Sequence, residues 1–269
     1  MHSPVPVAGR AARPTGFTVT ELLVVVALVS LLVAMLAVAA RGLRESSKVT
    51  VDLAALRSLQ GAHLAYATDQ RGFLADAGLP HGSGGGSPAT SFITTLAPYA
   101  DHPLAFRSPL DRSPHWAAEA GGEGQSITGG GFRRTSYGIN TFLSRRYSPQ
   151  AAIDPARVTD RLGRIPNPAA TVHCLHMAPG GIYAGSDHPH VEGWGSLPTA
   201  PVAAAAQVDI AVAGGPPRSI ESRANWSFAD GHVATRKFGE LYVNPETNRF
   251  DPLLAGLFDR RFTAGVGGS

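Results

Sequence analysis

The sequence has a single cysteine, Cys174, so no disulfide can form within the chain. Stability must come from a packed core or from neighbouring subunits. The lone thiol reads as an inert buried side chain rather than a nucleophile. A basic stripe interleaved with aromatics is also lacking. Arg133–Arg134, Arg145–Arg146 and Arg260–Arg261 are scattered, and the formal net charge is only +3, so nucleic acid is not an expected partner. No G-x-S-x-G elbow and no convincing Ser/His/Asp set is present, so the chain is not expected to be an enzyme. Proline is absent between Phe17 and Leu79, and charge is absent from Leu22 to Ala40.

That last absence defines the first feature. The nineteen residues from Leu22 to Ala40 carry only Ser30 as a polar side chain, close to the 20 or so apolar residues that a helix needs to cross a bilayer. The Ala-rich stretch from Ala200 to Ala213 does not rival it, being interrupted by Gln207 and Asp209. After the apolar run, Val49, Leu53, Leu56, Leu59, His63 or Leu64, and Ala67 recur at helical spacing, with Arg57, Gln60 and Asp69 between them. The pattern predicts one helix over residues 17–70, membrane-spanning over about 22–40, with its second half laid on a sheet. Gly42 and Gly61 each weaken it by about 1 kcal/mol relative to alanine, which predicts local bending or melting there.

The remainder, 71–269, predicts an α+β domain with long Gly/Pro-rich loops, the chain having 31 glycines and 21 prolines. Gly82–Ser87 and Gly121–Gly131 read as loops, since neither follows a strand and opens a helix as a phosphate cradle would. Strands are expected at Thr135–Asn140, Ala170–His176, Val208–Val212, Ala224–Phe228 and His232–Phe238. Asp230-Gly231 signals a hairpin between the last two.

Three readings of the N-terminus compete. A secretory signal peptide would use Arg10 and Arg13 as its basic region and Ala37-Val38-Ala39 as a cleavage site, although the apolar run is longer than usual. A plain single-pass anchor would tolerate Glu21 near the interface; the flanking basic residues, Arg10 and Arg13 against Arg41, Arg44 and Lys48, do not set its orientation. The third reading starts from a polar, basic leader (1–16) ending in Gly16, then Phe17, then Glu21 at the mouth of the apolar run. This arrangement resembles the N-terminus of type IV pilins and of the pseudopilins of type II secretion.

That resemblance implies a set of expectations. A prepilin peptidase would cut after Gly16 and N-methylate Phe17. Glu21 would pair with the N-terminal amine of a neighbouring subunit, costly while unpaired in apolar surroundings and satisfied on assembly, which makes it a register device. The partners implied are the peptidase, other copies of the chain and other pilin-like subunits, the inner-membrane assembly platform and membrane lipid. The place implied is the bacterial inner membrane, single-pass with the C-terminal domain periplasmic, and after assembly a periplasmic or cell-surface filament. Many pilins have a helix-breaking proline where this chain has Val38.

A second resemblance rests on ANWSFADGHV (Ala224–Val233), with LRSLQGAHLAYATDQRGFL (Leu56–Leu74), FRSPLD (Phe106–Asp111), TSYGIN (Thr135–Asn140) and IPNPAATV (Ile165–Val172). These resemble a set of pilin-like proteins whose C-terminal module carries a histidine, nine residues, then Asp-Gly. Asp230, Gly231 and His232 fall on its turn. Ile220 stands at the histidine position, and Ser108 stands where a cysteine is common.

No cofactor is expected, but a structural metal is conceivable. His173, Cys174 and His176 would point to opposite faces of a strand. Asp187, His188 and His190, joined by Asp230 and His232, make the better transition-metal set, and Asp187, Glu192 and Asp230 could supply oxygens to calcium. A membrane-anchored periplasmic metal-dependent enzyme or binding domain is therefore the alternative to a filament subunit. Trp194, Trp226 and Tyr242 read as core or subunit-contact aromatics.

Overall fold

The computed structural model describes residues 18–81, 87–100 and 102–258. The leader, the expected cleavage and methylation residues Gly16 and Phe17, and the glycines of the 82–86 loop lie outside the described residues. The layout is α+β: a long N-terminal helix, α1 (Val19–Asp69), followed by short helices and small antiparallel strand pairs. Two compact units divide between Ser46 and Ser47, inside the helix rather than at its end.

In the first unit, α1 is uncharged after Glu21 until Arg41. Its large apolar side chains from Val19 to Val38 are 48–76% exposed, and the best 18-residue window has a mean hydropathy of 3.1. The segment is long and apolar enough to cross a bilayer. Ser30, the polar interruption, donates its hydroxyl to the Val26 carbonyl at 2.8 Å, so it presents no unsatisfied donor. Helix α1 is unbroken at Gly42 and Gly61, contrary to the expected melting; about 1 kcal/mol at a single glycine is too little to open a long hydrogen-bonded run.

In the second unit, the end of α1 buries Leu56, Leu59 and Ala62 against Phe92, Ile93, Leu96, Tyr137, Ile139 and Cys174. β1 (Tyr137–Ile139) pairs antiparallel with β2 (Cys174–His176), β3 (Arg223–Ser227) with β4 (Val233–Lys237), and β5 (Tyr242–Asn244) with β6 (Thr247–Asn248). Among the described residues, three two-stranded pieces form instead of one sheet. The join between β2 and β3 explains the break. Val172 bridges Phe228 and the His173 amide donates to the Ser227 carbonyl at 2.7 Å. The Cys174 amide then donates to the Ser227 hydroxyl at 2.9 Å instead of a backbone carbonyl, which interrupts the ladder.

Val208–Val212, expected as a strand, is not one. Val208 makes an isolated bridge with Met177, and the chain then turns because Asp209 Oδ1 accepts the Ala211 amide at 3.2 Å. The β3–β4 connection runs over the five residues from Phe228 to His232. The Gly231 amide donates to the Phe228 carbonyl and the Phe228 amide to the His232 carbonyl, each at 3.0 Å. Gly231 takes φ +103°, a conformation that glycine adopts without steric cost. A second core gathers Trp194, Trp226, Phe238, Tyr242 and Phe250, all at most 1% exposed, so the tryptophans and Tyr242 are core residues.

Candidate functional site

Three constellations carry chemistry: the start of α1, a buried carboxylate on its second half, and a histidine-rich loop.

At the start of α1, Thr18 and Glu21 form a reciprocal cap. The Thr18 amide and hydroxyl each donate to Glu21 Oε2 at 2.8 Å, and the Glu21 amide donates to the Thr18 hydroxyl at 3.2 Å. Thr18-x-x-Glu21 is thus a capping box, legible in the sequence but masked by the apolar run it opens. Glu21 is not bare in the single chain, as the pairing argument supposed. It holds a local partner, and because Thr18 lies after the expected cleavage point that partner would survive processing.

The second constellation was not foreseen. Asp52 is fully buried on α1. Its Oδ1 accepts from the Ser108 hydroxyl at 2.5 Å and the Tyr137 hydroxyl at 2.8 Å. Its Oδ2 accepts from His176 Nε2 at 3.0 Å and Asn225 Nδ2 at 2.7 Å. Burial alone would raise the Asp52 carboxyl. The His176 imidazole, with the hydrogen bonds from His176, Ser108 and Asn225, outweighs it and holds the group down at about 2. Three of the stretches quoted above, around FRSPLD, TSYGIN and ANWSFADGHV, thus each deliver one donor to a single carboxylate. Ser108 makes the shortest of these bonds. Asp52→Asn is expected to cost about 3 kcal/mol, because a carboxamide offers one acceptor oxygen where four donors converge. Ser108→Ala should cost about 1 kcal/mol. Urea unfolding of the full chain in detergent measures both, and equal, near-zero costs would contradict this account.

The expected metal ligands are not brought together as one set. Asp187 is buried and occupied: its carboxylate accepts the Gly78 and Leu79 amides at 2.8 and 3.0 Å, the Ser91 hydroxyl at 2.5 Å, and His188 Nδ1 at 3.1 Å. It clamps the segment after α1 rather than presenting free oxygens. Asp230 pairs with its own neighbour His232, Oδ1 to Nδ1 at 2.6 Å, in the hairpin turn. Glu192 pairs with His190 Nδ1 at 2.8 Å. His173 packs edge-on against His63, ring centroids 4.5 Å apart, while His176 serves Asp52. Among the described residues, two groups hold ligand atoms within 4.8 Å of one another: His63, His173 and Cys174, and His81, His188 and His190. His63 and His81 were not singled out in the sequence, since each lies far along the chain from its companions. Burial pushes the Cys174 thiol up to about 12, and its Sγ donates to Gln60 Oε1 at 3.7 Å, so it is no nucleophile. Ile220, at the histidine position of the resemblance, is 43% exposed.

Comparison with protein-family models, curated proteins and solved structures finds no match.

Proposed function

We propose that this chain is a pilin-like structural subunit of a type IV pilus or type II secretion filament, processed by a prepilin peptidase and assembled through α1. The observation that carries the reading is the junction at residues 16–22. A glycine and a phenylalanine lead directly into a capping box whose glutamate is the last charge before nineteen uncharged residues. A secretory signal has no use for a carboxylate at the mouth of its apolar segment. A filament core does, because a buried carboxylate and a neighbour's amine fix the stagger between helices.

In this reading the exposed apolar side chains of the first unit lie in lipid before assembly and against neighbouring helices afterwards, with burial worth roughly 25 cal/mol per Å². The second unit is braced by Asp52. Intact mass and N-terminal peptide mapping of the protein from its native membrane test the reading. The expected result is a chain beginning at N-methylated Phe17. A chain beginning near Ala40 would mean a secreted domain, and one still carrying the leader a simple anchor; either would end the filament argument.

A further inference from the structure

We propose that His81, His188 and His190 form a zinc site that pins the segment following α1 to the loop at residues 186–192. Filament assembly plays no part in the argument.

The ring nitrogens are arranged for it. A carboxylate can only accept, so the 3.1 Å contact between Asp187 Oδ1 and His188 Nδ1 places the proton of the neutral ring on Nδ1. The Nε2 lone pair is then free. That nitrogen is buried and has no hydrogen-bond partner, on a side chain that is 0% exposed. An orphaned buried acceptor is costly and requires an explanation. Glu192 does the same for His190, at 2.8 Å to Nδ1, which leaves the His190 Nε2 lone pair facing His81 Nε2 at 2.9 Å. Two of three imidazoles are therefore oriented by carboxylates, the arrangement that sets ring angle and basicity in zinc–histidine sites.

The rings themselves are held. His188 stacks on Tyr147 at 3.7 Å between centroids, and His81 on Tyr183 at 4.9 Å.

Size and access fit as well. Tetrahedral zinc with bonds of 2.0–2.1 Å sets its ligand nitrogens about 3.3 Å apart. One ring nitrogen of each histidine lies within 4.8 Å of those of the other two, so shifts of about 1.5 Å or less bring them to that spacing. In the bare site His81 Nε2–H donates to His190. On binding, zinc takes the place of that proton, which moves to His81 Nδ1 or to water. His81 and His190 are half-buried, so water reaches the set from their side and can complete a fourth position.

The competing group, His63, His173 and Cys174, is fully buried, its thiol is held protonated by burial, and no carboxylate orients either ring. It offers zinc neither an entry path nor an anionic ligand.

The test uses the full chain in detergent, stripped with EDTA and titrated with Zn²⁺ alone, with Co²⁺ as a spectroscopic stand-in. Expected are one zinc per chain and the intense visible bands of tetrahedral cobalt. His81→Ala and His190→Ala should each weaken zinc binding by about 100-fold, and Glu192→Gln by about 10-fold. Glu192→Gln is half-exposed and leaves all three ligands in place, so it decides the matter even if a ligand variant fails to fold. The proposal is overturned by wild-type protein that binds no zinc at micromolar concentration. Affinity unchanged in Glu192→Gln, or zinc lost with Cys174→Ala but kept in His81→Ala, overturns it equally.

Discussion

Glu21→Gln is expected to abolish incorporation into filaments while leaving membrane insertion and the start of α1 intact. The capping box separates two roles that alanine would confuse. Glutamine at this position can still accept from Thr18, as glutamate does at 2.8 Å, so the first turn keeps its cap. What disappears is the charge. In the proposed filament that charge meets the amine of a neighbour's Phe17 in apolar surroundings, and removing one partner of such a pair costs about 3–5 kcal/mol at every contact. Thr18→Val is the mirror experiment. It deletes the cap, worth about 1 kcal/mol, and keeps the carboxylate, so filaments should persist with a frayed helix end. Immunoblots of sheared filaments against membrane fractions read both variants. Wild-type assembly by Glu21→Gln, or its loss in Thr18→Val alone, would show that the glutamate acts as a cap and not as an inter-subunit charge.

Features with a short sequence period were legible; features that need distant segments were not. The apolar run and the amphipathic face of α1 each repeat within a few residues, and the Asp-Gly hairpin is local. Gln60 reads as a polar residue between apolar positions, yet it is buried, accepting the Ser227 hydroxyl at 2.9 Å. Asp52, which no sequence pattern marks, is fully buried. Its donors come from residues 108, 137, 176 and 225, and no local pattern signals such convergence. Arg133 reads as one of several scattered surface charges. It is buried, bonded to Asp111 at 2.8 Å and to the carbonyls of Met177, Ala178 and Ala184. Asp111 also receives Trp116 and Ser136. Four residues of the stretches that carried the resemblance, Ser108, Asp111, Tyr137 and Asn225, thus belong to buried polar networks. Of the candidate metal ligands, His188 and His190 lie together with His81, whereas the Asp187 carboxylate accepts the Gly78 and Leu79 amides, a long-range pairing that no local pattern signals.

Mild acid should destabilise the second unit through two buried imidazoles, above the range in which Asp52 titrates. His63 and His173 are fully buried, and none of their four ring nitrogens has a hydrogen-bond partner. Burial, then the charge that His173 would carry, holds His63 well below its ordinary 6.5, and burial holds His173 at about 3. Both folded values lie below the unfolded one, so stability is full above pH 6.5 and is lost as pH falls. Below 6.5 the unfolded chain takes up protons that the native state refuses. Each site that stays neutral in the native state then removes up to about 1.4 kcal/mol per pH unit, so His173 alone removes about 2 kcal/mol between pH 7.5 and pH 5, and His63 adds to it. That is a large part of the 5–15 kcal/mol that ordinarily separates folded from unfolded domains. Asp52, held at about 2 from 3.8, contributes stability that is lost only below about pH 4, outside this window. Asp76, Asp209 and Asp251, whose carboxyls burial raises, oppose the trend where they titrate. The clean observable is therefore a difference between proteins. His173→Leu removes one titrating ring and leaves no further polar atom unpaired, so it should roughly halve the slope of unfolding free energy against pH. Urea unfolding followed by the fluorescence of Trp194 and Trp226 supplies that slope. A wild-type midpoint that stays flat from pH 7.5 to pH 5, or a slope untouched by His173→Leu, would mean that the two imidazoles are not buried as neutral rings.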